Sequence, residues 1–335
     1  MSAFFVEGGH RLEGEIRVHG AKNSVLPILA AAILVPGVSV IQNCPDLSDV
    51  AASLEILRHL GCRAERAGDT ITVDAGTLAR SDVPDDLMRE MRSSVIFLGA
   101  VLGRTGEATM SYPGGCELGP RPIDLHLAAL RSLGAGIEEE TGRLRCSGAL
   151  TGCDITLALP SVGATENAML AAVMADGLTV LENVAKEPHI VDVANFLNTM
   201  GADVRGAGTD VIKVHGVRRM HGCTYTIIPD QIEAGSYMVG AAITGGNVLI
   251  KNVIPKHLEP ITSKLEKAGA HVEEYDDSVR VSRTGDIEPL NIKTMPHPGF
   301  PTDMQPLMSV LLTLAKGTSI ITEGIWENRF RYVDE

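Results

Sequence analysis

The sequence contains few aromatic residues and no block of basic residues. Phe, Trp and Tyr together make up 4% of the 335 residues, which argues against base recognition by rows of stacked aromatic rings. The formal net charge of −13 is spread along the chain, so no basic surface for a nucleic acid is indicated. Any anionic ligand must therefore be held by a small local group of cations.

Metal-binding patterns, disulfide patterns and long apolar runs are also absent. The six cysteines, at positions 44, 62, 116, 146, 153 and 223, show no metal-ligand spacing, and we interpret them as reduced thiols. The longest apolar run, residues 25–35, is too short to span a bilayer, and residues 1–9 lack the features of a secretion signal. No Walker loop or dinucleotide fingerprint occurs. These absences predict a cytoplasmic protein without ATP hydrolysis or hydride transfer.

What the sequence does contain is a repeat of about 70 residues. A glycine closes an apolar helix and opens a β-strand at five positions with spacings of 69, 71, 69 and 71 residues: Gly37, Gly106, Gly177, Gly246 and Gly317. Each strand (38–43, 107–112, 178–183, 247–252 and 318–323) precedes a loop, and in the first four repeats a second helix and a hairpin follow. The period exceeds that of usual solenoids and predicts a globular array of α/β repeats. A chain of 335 residues also suggests two domains.

One loop, residues 111–126, has an unusual composition. Its prolines and three glycines predict an irregular segment that presents Cys116, with Pro122 at the start of a helix. Arg121 beside that helix start favours a bound anion and the thiolate form of a nearby cysteine. The alternative is an ordinary Gly-rich surface turn with an incidental cysteine.

Charged residues collect near the predicted starts of the first helices and in the long loops. The cations are Lys22, Arg92, Arg121 and Arg329, and the acids are Asp49, Asp230, Glu233 and Asp303. A cation at a helix start is unfavourable unless an anion lies between it and the helix dipole, which favours a phosphate or carboxylate ligand. The alternative for Lys22 is a solvated cation. Asp303 is either a general base facing a substrate hydroxyl or an acid that complements the dipole.

The histidines do not point to a metal site. His126 and His189 have no partner histidine or carboxylate at a metal-ligand spacing. We therefore interpret both of them as helix-capping or core histidines.

Five motifs follow one another along the chain: GAKNS at 20–24, PGGC with GPRPIDLH between 113 and 126, PSVGATEN at 160–167, PTD at 301–303 and ENRF at 327–330. Together they resemble the UDP-N-acetylglucosamine enolpyruvyl transferase family, from the first strand to Glu335. The resemblance implies an inside-out α/β barrel fold, shared with the shikimate-pathway enolpyruvyl transferase, with the site in the cleft between two domains. The domains would comprise residues 22–229 and residues 1–21 plus 230–335, joined by two chain crossings.

The implied activity belongs to the first committed step of peptidoglycan synthesis, and hence to cell-wall biogenesis. The enolpyruvyl group of phosphoenolpyruvate moves to the 3-hydroxyl of UDP-N-acetylglucosamine and phosphate is released, without a metal or an organic cofactor. By resemblance, Lys22, Arg92, Arg121 and Arg329 bind phosphoenolpyruvate. Asn23 and Asp303 hold the amino sugar, and Asp303 takes the proton from its 3-hydroxyl. Cys116 manages the proton at C3 and assists product release.

The nucleotide part is implied to lie against a second set of residues. These are Arg121, Pro122, Ile123, Asp124 and Leu125 and the turn of Ser161, Val162 and Gly163. Ile325 is also implied to bind substrate. Some members of the family have a lysine just before that turn, where this chain has Leu159 and Pro160. Part of the diphosphate charge must therefore be balanced by other residues.

Two alternatives to this function remain at the level of sequence. One is a shikimate-type enolpyruvyl transferase, against which the Cys116 loop argues, and the other is a nucleotide-sugar-binding fragment without catalysis. The fifth repeat runs only 18 residues from Gly317 to Glu335. We therefore expect the second domain to lack about one and a half repeats, and the chain alone to be weak or inactive. It would be a fragment or be completed by a C-terminal segment or a second chain.

Cys116 is expected to be the one thiol that a small phosphonate epoxide alkylates quickly, because it combines loop exposure, neighbouring Arg121 and an anion site. Mass mapping after brief treatment measures this. Modification spread evenly over the other five cysteines would contradict the assignment. Cys116→Asp is expected to lose alkylation while it retains some turnover, if the role of Cys116 is proton transfer and not covalent catalysis.

Overall fold

The structure is a computed structural model that describes residues 3–113, 122–140 and 142–334. Two compact parts are present, which we call the larger unit (Gly20–Ile228) and the smaller unit (Met1–His19 with Pro229–Glu335). That these correspond to domains of residues 22–229 and of 1–21 plus 230–335 stays a prediction. Within the described ranges, every helix is too short or too polar to cross a membrane.

The regular elements of the described residues are ten α-helices and eighteen β-strands. The helices are α1 (Lys22–Ala31), α2 (Ser48–His59), α3 (Asp85–Glu90), α4 (Phe97–Thr105), α5 (Asp124–Ser132), α6 (Val162–Ala172), α7 (Pro188–Thr199), α8 (Gln231–Thr244), α9 (Pro255–Lys267) and α10 (Gln305–Leu312). The strands are β1 (Glu13–Arg17), β2 (Val38–Gln42), β3 (Arg63–Ala67), β4 (Thr70–Asp74), β5 (Asp82–Val83), β6 (Glu107–Ser111), β7 (Gly136–Glu140), β8 (Arg143–Ser147), β9 (Asp154–Thr156), β10 (Leu178–Glu182), β11 (Asp203–Arg205), β12 (Val211–His215), β13 (Thr224–Thr226), β14 (Asn247–Lys251), β15 (His271–Glu274), β16 (Ser278–Ser282), β17 (Ile292–Lys293) and β18 (Ile321–Thr322).

Four sheets share one topology, which confirms the repeat. In each sheet a central strand is paired in parallel with an edge strand on one side and antiparallel with a hairpin on the other. The strand orders are β13-β2-β4-β3, β5-β6-β8-β7 and β9-β10-β12-β11 in the larger unit, and β1-β14-β16-β15 in the smaller unit. A fifth sheet of the described residues contains β17 and β18, which correspond to the edge and central strands.

The predicted central strands are confirmed in four repeats and wrong in the fifth. After Gly317 the strand was expected over 318–323, but β18 contains only two residues. The backbone N–H of Leu290 donates to the Ser319 hydroxyl at 3.2 Å, and the N–H of Ile320 donates to the Asn291 amide oxygen at 3.1 Å. Side-chain acceptors thus take the N–H groups of Leu290 and Ile320, while the N–H of Ile292 donates to the carbonyl of Ile320 at 2.9 Å just before the paired residues.

The short edge strands were not predicted. β5, β9, β13 and β17 have only two or three residues, too few to show a period in the sequence. β13 pairs with β2 in parallel, so a strand near the end of the larger unit joins the sheet of its first repeat. Pro122 also differs from expectation, because α5 begins at Asp124 and the proline precedes the helix.

The core of the larger unit is built around the first helix of each repeat. In α1 every residue from Ser24 to Ala31 is buried, as expected of a helix that is apolar on nearly every side. α4 contacts both α1 and α6. The backbones of α4 and α6 approach so closely that a Cβ on Gly99 would lie 2.4 Å from the carbonyl oxygen of Asn167, so glycine is required there. In the smaller unit, α8 packs against α9, α10 and β14.

Three repeats end the central strand with the same bond. Asn43, Asn183 and Asn252 follow β2, β10 and β14 with φ of 62°, 55° and 58°, in the left-handed region that asparagine tolerates. Their side-chain amides donate to the carbonyl of the residue after the edge strand. The distances are 3.0 Å to Ile227, 2.7 Å to Leu157 and 2.6 Å to Val18. We call this bond the strand-end cap.

Asn183→Ala is expected to destabilise the larger unit by about 2 kcal/mol, because it removes one hydrogen bond and places a Cβ residue without a polar side chain at positive φ. Asn183→Gly loses the same bond without the backbone strain and is expected to cost roughly half as much. Chemical denaturation measures both. Equal losses in the two variants would mean that the left-handed conformation carries no cost.

Candidate active site

Lys22 and Asn23 occupy the first turn of α1, as the helix-entrance interpretation predicted. The Lys22 ammonium lies 2.6 Å from a carboxylate oxygen of Asp49, at the start of α2, and the two side chains are 46% and 24% exposed. The anion beside the Lys22 cation is therefore the Asp49 carboxylate in this structure. The sequence indicated Asp49 as an acid near a helix entrance without placing it in the site.

The side chain of His126 is buried and contacts Asn167 of α6, which confirms its interpretation as a core residue. The Asn167 amide nitrogen lies 2.8 Å from His126 Nδ1 and donates to the carbonyl of Val95 at 2.8 Å. The amide oxygen of Asn167 accepts from the N–H of Gly99 at 2.6 Å. Since that oxygen is taken by a donor, the amide nitrogen faces Nδ1, and the imidazole is neutral with its proton on Nε2.

Several predicted site residues surround His126. Burial lowers the pKa of His126 to about 4, with a further lowering from the Arg92 cation and an opposing effect from Asp124. A Cβ on Gly163 would lie 2.8 Å from the imidazole Cε1, so the ring occupies the space that a side chain would need. The structure thus packs Gly163 directly against the ring, whose pKa also responds to the charges of Arg92 and Asp124.

The turn at the start of α6 has the predicted form. Ser161 is the N-cap residue, and its hydroxyl accepts from the N–H of Ala164 at 3.4 Å. The first N–H groups of a helix have no intrahelical acceptor, so Val162 and Gly163 present backbone donors at this end. Gly163 was predicted only as a donor, and its packing against His126 is a second reason for glycine.

The segment before and in α5 divides into buried and exposed residues. The Ile123 side chain is buried in the core of the larger unit, so a ligand would meet only its backbone. Pro122 and Asp124 are exposed, and Leu125 is partly buried. Cys116 and Arg121 lie outside the described residues, and their predicted roles stay predictions.

In the smaller unit, Asp303 and Arg329 are direct partners. Asp303 lies in a single 3-10 turn, Thr302–Met304, immediately before α10. The Arg329 guanidinium donates to an Asp303 carboxylate oxygen at 2.7 Å, and the two side chains are 11% and 45% exposed. The resemblance assigned these residues to different parts of the substrates. The structure pairs them and leaves the carboxylate of Asp303 accessible to solvent.

Some polar residues of these regions were missed at the level of sequence. Glu323 accepts the N–H of Ile325 at 2.8 Å, so the backbone donor of this predicted binding residue is already used. Glu166 is buried in α6, and burial together with repulsion from Glu187 raises the pKa of its carboxyl group well above the usual range. Within the described ranges, no three His, Cys, Asp or Glu side chains are grouped as a metal would need.

The five described cysteines are poor nucleophiles. Burial raises the pKa of Cys44 to about 12 and the pKa values of Cys62 and Cys146 to about 11. It also raises the pKa values of the Cys153 and Cys223 thiols. Because the thiolate is the reactive form, these environments disfavour alkylation at the five positions.

Comparison with known proteins identifies the family. Residues 6–335 match the family model described as EPSP synthase (3-phosphoshikimate 1-carboxyvinyltransferase). The chain is 51% identical over 337 residues to UDP-N-acetylglucosamine 1-carboxyvinyltransferase 2 of Caldanaerobacter subterraneus subsp. tengcongensis, covering 100% of this chain and 81% of the relative. UDP-N-acetylglucosamine 1-carboxyvinyltransferase 1 of Carboxydothermus hydrogenoformans is also 51% identical, covering 100% of this chain and 80% of the relative. This chain belongs to the UDP-N-acetylglucosamine 1-carboxyvinyltransferase family.

Solved structures agree with the fold of this family. The enolpyruvyl transferase NikO from Streptomyces tendae superimposes with a TM-score of 0.88 at 28% identity, over 98% of this chain and 78% of that one. EPSP synthase from Acinetobacter baumannii has a TM-score of 0.72 at 21% identity, over 94% and 74%. The predicted enolpyruvyl transferase fold is therefore confirmed.

The buried neutral His126 predicts a pH dependence of stability. Its folded pKa of about 4 lies below the ordinary value of 6.5, so between these values the unfolded chain binds more protons. This contribution is fully present above pH 6.5 and is lost as the pH falls towards 4, for a total on the order of 3 kcal/mol. Denaturant unfolding from pH 4 to 7 measures it against His126→Gln, which does not titrate. If the free energy of unfolding changed with pH equally in the two proteins, the imidazole of His126 would not be buried in its neutral form.

Proposed function

We propose that this chain transfers the enolpyruvyl group of phosphoenolpyruvate to the 3-hydroxyl of UDP-N-acetylglucosamine and releases phosphate. The reaction would serve the first committed step of peptidoglycan synthesis, in the cytoplasm. The observation that carries the proposal is the 51% identity, over the whole chain, to relatives named for this activity.

The chemistry requires a base, a proton donor and fixed positive charge. The 3-hydroxyl oxygen forms a bond to C2 of phosphoenolpyruvate and gives up its proton, while C3 accepts a proton. The tetrahedral intermediate then loses a C3 proton, the bond from C2 to the phosphate oxygen breaks, and phosphate leaves. Charge develops beside ligands that are already anionic, so preorganised cations lower the barrier.

In the larger unit, we propose that Lys22 and Arg92, with Arg121, bind the anionic groups of phosphoenolpyruvate. The Lys22–Asp49 pair supports this role, because the ammonium is held at a helix start while 46% of its side chain stays exposed. An anionic ligand would share or replace the Asp49 carboxylate as its partner. Asn23, the next residue on α1, is exposed and would bind the amino sugar.

We propose that the diphosphate binds the start of α6 and the segment before α5. Val162 and Gly163 offer backbone N–H groups at a helix N-terminus, where the dipole also favours an anion. Pro122, Ile123, Asp124 and Leu125 would contact the uridine, Ile123 through its backbone only. Cys116 would deliver the proton to C3 and remove it later.

In the smaller unit, we propose Asp303 as the general base for the 3-hydroxyl. Its carboxylate is accessible, and one oxygen is fixed by the nearly buried Arg329 guanidinium. A fixed carboxylate needs little reorganisation when the hydroxyl arrives. Arg329 would also contribute positive potential for the developing negative charge. Ile325 would contact the substrate through its side chain, since its N–H is already bonded.

The two alternative functions are less well supported. The family model over residues 6–335 is described by the shikimate activity, but the solved EPSP synthase is only 21% identical, a likeness that extends to the fold alone, whereas the relatives at 51% identity are named for UDP-N-acetylglucosamine. A non-catalytic binding protein would not need an accessible acid paired with a fixed arginine. Phosphate release from phosphoenolpyruvate, measured with UDP-N-acetylglucosamine, with shikimate 3-phosphate and without acceptor, separates the three functions.

Asp303→Ala is expected to lower turnover by roughly 10²–10⁴-fold, the usual contribution of a general base. Asp303→Asn keeps the shape and is expected to lose a similar factor, because an amide cannot take the proton. Steady-state phosphate release measures both variants. Asp276→Ala, an exposed acid in a hairpin turn of the same unit, is the matched control and is expected to keep normal turnover. Near-normal turnover of Asp303→Asn would mean that Asp303 is not the general base and only complements the helix dipole.

A further inference from the structure

The fifth repeat departs from the strand-end cap at one position. The residue after the central strand is an asparagine at 43, 183 and 252, and at the equivalent place after β18 it is Glu323. Its φ is not in the left-handed region, unlike those of the three asparagines. The residue after the edge strand has also changed in kind, from Ile227, Leu157 and Val18 to Thr294.

The bond between these two positions is kept, but its polarity is reversed. In three repeats the asparagine amide donates to a backbone carbonyl, whereas here the Thr294 hydroxyl donates to a Glu323 carboxylate oxygen at 2.7 Å. Thr294 is 1% exposed, and its backbone N–H still donates to the carbonyl of Thr322 at 3.0 Å. The edge strand is thus held to the central strand as in those three repeats.

The acidic side chain makes further contacts, of which the bond from its second oxygen to Thr302 needs a second acceptor that an asparagine lacks. The oxygen that accepts from Thr294 also accepts the N–H of Ile325 at 2.8 Å and the N–H of Trp326 at 3.2 Å. The second oxygen accepts from the Thr302 hydroxyl at 3.0 Å. An asparagine is one methylene shorter and has one acceptor oxygen. Its side chain therefore cannot accept from the hydroxyl groups of both Thr294 and Thr302.

These contacts join the two segments that carry Asp303 and Arg329. Thr302 immediately precedes Asp303 in its 3-10 turn, and Ile325 and Trp326 begin the loop that leads to Arg329. One half-buried carboxylate therefore fixes the two segments to each other. The 2.7 Å bond between Arg329 and Asp303 is the contact that this arrangement brings into place.

We propose that Glu323 is a positioning residue. It sets the orientation of the Asp303 carboxylate and the Arg329 guanidinium and the distance between them. Its catalytic consequence rests on the proposed function, whereas its structural consequence does not. Glu323 does not touch the substrate itself. It acts by holding the Thr302 turn and the Ile325–Arg329 loop in one geometry.

Glu323→Asn is the decisive variant, because it installs the residue that three other repeats use. It is expected to keep the melting temperature near that of the parent chain, since an asparagine can still cap the edge strand. Turnover is expected to fall roughly 10–100-fold with little change in KM for phosphoenolpyruvate, because small misplacement of a catalytic group is costly. Glu323→Gln keeps one acceptor oxygen and the length of the side chain, and is expected to regain most of the lost turnover.

A matched control separates positioning from loss of stability. Asn252→Ala removes the strand-end cap of the fourth repeat in the same unit and places alanine at positive φ. It is expected to lower the melting temperature more than Glu323→Asn does, with unchanged turnover. Unchanged turnover in Glu323→Asn, or an equal loss in Asn252→Ala, would overturn the proposal.

Hydrogen exchange gives a readout that does not depend on activity. In Glu323→Ala the amides of Ile325 and Trp326 lose their acceptor and are expected to exchange faster, while the amide of Thr294 keeps its protection. Unchanged exchange at 325 and 326 would overturn the positioning role, whatever the kinetics. If the parent chain released no phosphate, the turnover comparison could not be made, and the exchange data would still decide the role of Glu323.

Discussion

Burial of the first helix of each repeat in the larger unit is the constraint on which the rest of that unit depends. α1 and α6 carry apolar or small residues on almost every side, so each must be enclosed by other elements. Full burial of a large apolar side chain stabilises a fold by about 1.5–3 kcal/mol, whereas one hydrogen bond contributes about 1 kcal/mol. The helices therefore take the interior of the larger unit, and strands such as β2 and β4 bury alternate residues against them.

An enclosed helix still has a polar end. Its first N–H groups lack intrahelical acceptors, and the dipole gives that end a positive potential. In this chain the helix starts carry Lys22, the Ser161 turn and Asp303, which are residues of the proposed site. The lysine and the aspartate are already paired, with Asp49 and Arg329 respectively. Their charges are thus oriented before any ligand arrives, which is the condition for effective electrostatic stabilisation.

The repeat supplies its own internal comparison. The same place in three repeats holds an asparagine whose only described task is to tie a central strand to its edge strand. In the fifth repeat the tie is kept by Thr294 and Glu323 with reversed polarity, and the spare acceptors of the acid reach the segments beside it. Glu323 thus combines the bond that ties the two strands with a bond to Thr302, the residue before the candidate base Asp303. The departure is visible because three other repeats share one arrangement.

The amino-acid sequence by itself determined the repeat, the central strands of four repeats and the helix starts where charged residues collect. These features are local, since glycines that end helices, β-branched runs and first-turn residues act over a few positions. Five motifs in one order were also enough to indicate the family. The edge strands of two or three residues left no periodic signal, and their existence depends on a partner strand elsewhere in the chain.

Only the tertiary structure decided which polar groups meet. Lys22 and Asp49 are 27 residues apart, Asp303 and Arg329 are 26 apart, and the Asn167 amide reaches His126 across 41 positions. Local propensity cannot choose among the many acids and amides at such separations. The choice is made by the packing of helices, as Gly99 and Gly163 show, because each leaves the space that a distant side chain fills. Pairing over long separations is therefore a consequence of core packing, and the sequence pattern records only the residues available for it.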